Sequence, residues 1–146
     1  MTSSGLNRFF TGVLLLALAL LLSSPVHAAQ SSQAGAAHKA ALAWLELVDK
    51  GDYLASWKES GAYFQSAMAA HKWSELINNV RMPLGNVTSR KLIKAQARQT
   101  MPGAPDGEYF MLIFKSSFTS KQSAVETVTV INEAKRGWRV VGYFIR

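Results

Sequence analysis

The stretch Tyr109–Ile145, YFMLIFKSSFTSKQSAVETVTVINEAKRGWRVVGYFI, decides the fold. From Tyr109 to Phe118 both alternating faces are apolar, which predicts a central strand covered on both sides. Ser123 to Glu133 is built largely from Val, Thr and Ile. Trp138 to Ile145 sets Val140 and Phe144 on one face against Val141 and Tyr143 on the other. Ala134-Lys135-Arg136-Gly137 between these runs reads as a short turn, so the two form an antiparallel hairpin. Upstream, Pro105-Asp106-Gly107 is a turn leading into the central strand. Val87 to Thr100 carries two readings. Its Leu, Lys, Ala and Gln favour a helix by propensity, but a fourth strand is needed to cover the helical half of the chain, and a strand is expected here.

That helical half precedes Gly85. Ala37, Ala40, Ala41, Trp44, Leu47 and Val48 recur at helical spacing, while Lys39, Glu46 and Lys50 face away. Gly51 is a natural left-handed stop, and Asp52 caps a second helix from Tyr53 to Glu59, with Tyr53 and Trp57 on one face. Ser60-Gly61 interrupts again. A third helix is expected over Ala62–Arg81, with Ala69, Trp73, Leu76, Ile77 and Val80 as its stripe, extended backwards by Phe64 and Met68. Pro83 and Gly85 end it. The expected class is α+β: three N-terminal helices packed on a curved four-stranded antiparallel sheet.

The first 28 residues read differently. Arg8 is followed by an uncharged run from Phe9 to Leu22, then Ser23-Ser24-Pro25 and the small-x-small triplet Val26-His27-Ala28. This is the pattern of a cleavable secretory signal over 1–28, cut near Ala28. As a helix the apolar run reaches about 21 Å, short of a hydrocarbon core of roughly 30 Å, so no stable membrane span is expected after cleavage. Residues 29–35 read as a flexible lead-in, and 36–146 as a single domain. The expected location is periplasmic or secreted, in a bacterium.

Composition narrows the chemistry. The chain has no cysteine and a net charge of +7. Thiol, disulfide and Cys-ligated metal chemistry are therefore excluded. An exported basic protein meets anionic surfaces or acidic envelope proteins rather than nucleic acid. His38 and His71 stand on different helices with no His-x-x-x-His pair, so no metal site is expected. Neither a Gly-rich phosphate loop nor a Gly-x-Ser-x-Gly elbow is present, and no cofactor is implied.

Several spaced motifs carry a resemblance. Trp44-Leu45 through Val48-Asp49, Gly51-Asp52-Tyr53, Ser56-Trp57, Trp73 and Arg81-Met82-Pro83-Leu84-Gly85 resemble the bacterial domain-of-unknown-function 4019 family. So do Ser89-Arg90, Pro102 to Tyr109, Glu126-Thr127-Val128 and Gly142-Tyr143. By its order of elements the chain is also similar to the nuclear-transport-factor-2-like superfamily. That wider resemblance implies a cone in which the helices and the concave sheet face enclose a cavity. The narrower family implies a fold and an envelope context, not a mechanism.

Three sets of residues are candidates for function. Tyr53, Trp57, Tyr109 and Tyr143 combine apolar bodies with a polar donor and are the candidate ligand-binding set. Ordinary core packing is the competing reading of these aromatics. Arg90, Lys94 and Arg98 share parity on a strand and form a candidate face for an anionic partner. Alternatively Lys and Arg there blunt an edge strand, and Arg81 and Arg90 pair with Glu108, Glu126 or the carboxyl terminus. For catalysis only His71 with Glu75, or Asp49 with Tyr53, stand at a spacing suited to acid–base work. The expected function is a small exported binding or accessory domain for an apolar or amphipathic ligand or an envelope partner, and not an enzyme. The alternative is a cone-fold isomerase, dehydratase or hydrolase using that His/carboxylate/Tyr set. A homodimer through the sheet stays open.

Overall fold

The computed structural model describes residues 25–146; the signal segment expected over 1–28 lies, up to residue 24, outside the described residues. Helix α1 is described over Pro25–Asp49. The residues expected to be a flexible lead-in, 29–35, are part of this helix. Ala28, Ala29, Ala34, Ala36 and Ala37 supply the helix propensity, and Gln30, Ser31, Ser32 and Gln33 lie exposed.

α1 ends as the sequence predicts. Gly51 takes φ +75, and the N–H groups of Gly51 and Asp52 donate to the carbonyls of Val48 (3.0 Å) and Leu47 (2.9 Å). This is a Schellman closure, which satisfies carbonyls left over at the helix end. Asp52 then caps α2, Tyr53–Glu59, accepting from the Ala55 N–H at 3.2 Å.

The expected third helix is two, α3 (Ala62–Ala67) and α4 (Ala70–Arg81), so among the described residues the helical half holds four α-helices rather than three. Met68 between them is extended, and its carbonyl accepts from the Trp57 indole at 2.7 Å. Packing explains the break. Phe64 and Trp73 are both buried and meet edge to face at 5.1 Å. In one continuous helix, residues nine apart lie two and a half turns round, on opposite faces. Breaking the helix lets both rings face one core.

A short 3-10 turn, Met82–Leu84, leads through Gly85 into the sheet. Gly85 has φ +73, and a Cβ there would lie 2.0 Å from Thr119 Oγ1, so no other residue fits without rebuilding the turn. The sheet is an antiparallel meander, β1 (Val87–Arg98), β2 (Tyr109–Phe118), β3 (Lys121–Glu133) and β4 (Gly137–Ile145), paired in chain order. Val87–Thr100 is thus a strand through Arg98. Tertiary pairing with β2 outweighs its helical propensity.

The helices cover one face only. Phe110, Leu112, Phe114, Val128, Val130 and Val140 point into a shared core with Ala37, Ala41, Trp44, Leu45, Val48 and Ile77. On the opposite face of β2, Met111 and Ile113 are half-buried and Lys115 is exposed, so the expectation of a strand covered on both sides is corrected. Cover on that side comes at the Tyr109 end, from the β1–β2 loop. The Tyr109 hydroxyl donates to the Pro105 carbonyl and the Tyr63 hydroxyl to the Gly103 carbonyl. Buried Ser56 and Ser60 tie the helices together. Trp44 Nε1 donates to the Ser56 carbonyl (2.8 Å) and Ser60 Oγ (3.0 Å), and Trp73 Nε1 donates to Ser56 Oγ (2.9 Å). These partners remove the cost of burying indole N–H groups.

Candidate functional site

At the end of the sheet near the α1 C-terminus, charged groups enter the core as one network. Arg90 donates through Nε (2.6 Å) and Nη2 (3.0 Å) to Glu126, and through Nη1 (2.7 Å) and Nη2 (3.0 Å) to Asp49. Both forks of the guanidinium thus hold a carboxylate, the geometry in which arginine pairs most strongly. Glu126 is fully buried and also accepts from Ser116 Oγ and, at 2.7 Å, from the Tyr143 hydroxyl. Asp49 receives a further bond from Arg81 Nη2 at 2.7 Å. Arg81 lies 4.9 Å over the Phe118 ring, a cation–π contact. Its Nε and Nη1 are buried with no hydrogen-bond partner among the described residues.

Two carboxylates against two guanidiniums balance the charge. Burial pushes both carboxyls upward, but the hydrogen bonds and charge of Arg90, joined at Asp49 by Arg81, outweigh it and hold both below their ordinary values. Burial first, and then the Glu126 charge, push the Tyr143 phenol well above its ordinary value. The network therefore stays ionised at the carboxylates and protonated at the phenol across neutral pH. Of the partners weighed from sequence for Arg90, Glu126 is the one found. Asp49 as the bridge between two arginines was not legible, nor was Ser116.

The expected basic face does not form. A bulge between Leu92 and Lys94 leaves Ile93 without a pair in β2. Arg90 and Leu92 stand opposite buried Ser116 and Phe114, but Lys94 and Arg98 stand opposite Ile113 and Tyr109. One extra residue flips every side chain beyond it. Arg90 is consequently turned inward while Lys94 and Arg98 are exposed.

The four aromatic candidates are likewise dispersed. Tyr143 belongs to the ion network and lies 5.6 Å from Trp44. Trp57 packs on the core and serves as the donor to Met68. Tyr53 borders a shallow depression of about 270 Å³ with Asp49, Asn78, Arg81 and Asn86. Tyr109 is the one that lines a larger cleft, of about 540 Å³, at the opposite end of the sheet. Phe110 and Trp138, 5.3 Å apart and edge to face, line it with Ala97, and the first turns of α1 contribute Val26, Ala29, Gln30 and Gln33. Arg98, Gln99 and Glu108 give it polar groups. Its size falls in the range of small-molecule sites, about 300–1,000 Å³. Trp138 and Phe110 belong to the aromatic surplus of the sequence but were not among the four residues chosen from it, and the α1 extension was not foreseen. The signal available was the pairing of apolar β2 with the Gly137-Trp138 start of β4.

The acid–base candidates do not assemble. His71 and Glu75 are both exposed on α4, with Glu75 3.6 Å from Lys72, so the pair is set aside as a catalytic set. Asp49 is committed to Arg81 and Arg90. Among the described residues, no group of three or more His, Asp or Glu side chains is placed to hold a metal ion, and no helix is long and apolar enough to cross a membrane.

No curated protein matches the sequence at a significant level. Residues 40–143 match the model of the family described as protein of unknown function, DUF4019. That span runs from within α1 into β4, and the chain belongs to this family.

Proposed function

We propose that this DUF4019 protein is an exported binding domain that takes an amphipathic small molecule in the cleft between the first turns of α1 and the Arg98–Tyr109 end of the sheet. The observation that carries this reading is the cleft itself: about 540 Å³ of concave space with an aromatic floor of Phe110 and Trp138 and a polar rim. Such a mixture of apolar wall and a few polar groups is what small-molecule sites use for affinity and orientation. Export is supported by the uncharged run Phe9–Leu22 and the Val26-His27-Ala28 triplet. Cleavage after Ala28 removes Val26 from the cleft wall and leaves Ala29, Gln30 and Gln33. The charged network at the other end supports the fold, because every carboxylate oxygen in it is taken by a protein donor.

Native mass spectrometry of the protein recovered from the extracytoplasmic fraction tests both halves of the reading. The expected result is a chain beginning near Ala29 that carries a dissociable small-molecule adduct. A full-length chain retained in the cytoplasm contradicts export. A bare mass under gentle conditions, with no shift in melting temperature across a panel of amphiphiles, contradicts the cleft as a binding site.

A further inference from the structure

The helices cover one face of the sheet, and the β1–β2 loop covers the other only at the Tyr109 end. Two cross-strand rows of that outer face are exposed or half-buried. In one, Lys91 of β1 stands opposite Lys115 of β2, which stands opposite Val125 of β3. Beside it run Lys94, Ile113, Thr127 and Phe144, one from each strand. The bulge makes this set. Arg90 turns inward, and the register gathers Lys91, Lys94 and Lys115 outside, all three exposed. Apolar side chains project with them: Phe144 is 61% exposed, and Ile93, in the bulge beside Lys94, is 56% exposed.

No acid faces these lysines. The chain has nine Asp and Glu. The first five, Glu46 to Glu75, belong to the helical half, and Asp106 and Glu108 to the β1–β2 loop. Glu126 is buried and held by Arg90, and Glu133 accepts from the Ala62 N–H at 2.6 Å. Lys91, Lys94 and Lys115 accordingly make no ion pair among the described residues. Lysines protect an exposed strand edge, which accounts for Lys91 and Lys94 on β1. It does not account for Lys115, because β2 is flanked by a strand on each side. Like charges directly opposite on a sheet destabilise it, and Lys91 and Lys115 are such a pair.

We propose that this face docks on the anionic surface of a lipid bilayer, with the three lysines at the head groups and Ile93 and Phe144 entering the interface beside them. It is independent of the cleft, whose floor of Phe110 and Trp138 belongs to the helix-covered face. Charge complementarity calls for an anionic partner, and lysine favours the bilayer. Protein interfaces are depleted in Lys and enriched in Arg, whose fork pairs with single carboxylates. A compact ammonium on a flexible stem suits a fluid array of phosphates, the stem lying along apolar surface while the charge reaches the head groups. A second copy is disfavoured, because an isologous contact joins a patch to itself and would set lysine against lysine.

The experiment sediments the protein, as recovered from its own cells, with phosphatidylcholine vesicles that contain either no phosphatidylglycerol or about 40%, at low salt and at about 0.5 M NaCl. Two triple variants are compared. One is Lys91→Gln, Lys94→Gln and Lys115→Gln on the face; the other is Lys39→Gln, Lys58→Gln and Lys72→Gln on the helical half, all six positions being exposed. Both lose the same charge. Each lysine held near an anionic surface contributes about fivefold in partition, so the face variant is expected to lose about a hundredfold of its binding to phosphatidylglycerol vesicles, and the helical variant less than about fivefold. Parent binding is expected to vanish at high salt and to be weak on phosphatidylcholine alone. Equal binding to the two vesicle types overturns the proposal. Equal losses in the two variants overturn it as well, since they report net charge alone. Absence of vesicle binding also overturns it: a dimer in sedimentation velocity then gives the face to a second copy, and a monomer leaves it to an acidic protein. The face variant is expected to melt no lower than the parent, because it removes the Lys91–Lys115 opposition. A face variant that melts well below the parent contradicts the reading of these lysines as unpartnered.

Discussion

Arg90 and Arg98 lie on the same strand, eight residues apart, and meet opposite fates. Arg90 is nine-tenths buried at one end of the sheet, with both forks filled by Glu126 and Asp49. Arg98 is exposed at the other end and makes no ion pair among the described residues. The cause is the single bulge at Ile93, which moves the parity of β1 from inward to outward. The lesson is that a run of basic residues is not one feature. Its members are assigned by register, one to holding the fold together and another to solvent.

The largest expected effect breaks the comparison at Arg90. Arg90→Met leaves Glu126 buried without its cation and Asp49 with half its partners. Truncating one member of such a network costs about 3–5 kcal/mol. Arg98→Gln, by contrast, changes stability by less than about 0.5 kcal/mol. Urea unfolding of both variants checks the pair. Similar losses at the two positions would mean that Arg98 has a structural partner after all.

A smaller effect sharpens the same contrast through pH. Asp49 and Glu126 have folded-state values held below their ordinary 3.8 and 4.5. A depressed carboxylate contributes stability that is fully present above its unfolded value and lost as pH falls through the folded one. The melting temperature is therefore expected to be flat from neutral pH to about 5 and then to fall steadily to about pH 3. Glu126→Gln should start lower at neutral pH and lose less over that interval. A variant profile parallel to the parent's would place the acid sensitivity elsewhere.

The sheet was legible in the sequence because strand alternation and turn chemistry are local. Tyr109–Phe118, the Ala134–Gly137 turn and the Gly51-Asp52 junction all form where the pattern puts them. The break at Met68 was not legible, since only the meeting of Phe64 with Trp73 requires it. The bulge at Ile93 was hidden for a related reason. An inserted residue leaves no mark in a strand whose period is counted from its own residues alone, and it redirected Lys94 and Arg98 together. Of the four aromatics chosen for a pocket, Tyr109 lines the cleft and Tyr143 completes the ion network. Aromatic content identifies residues that seek cover, not which of them share a wall. The N-terminal turns of α1 were passed over because small polar residues there read as a tether, whereas their alanines continue the helix and build one side of the cleft.

The most direct measurement is a residue-resolved amide and indole chemical-shift map of the protein titrated with the panel of amphiphiles. Changes are expected at Ala97 to Gln99, Glu108 to Phe110 and the Trp138 indole, with Asp49, Arg81, Arg90 and Glu126 unmoved. Shifts centred on Asp49, Tyr53 and Arg81, with the Trp138 indole unmoved, would contradict the assignment of binding to one end of the sheet and structural charge to the other.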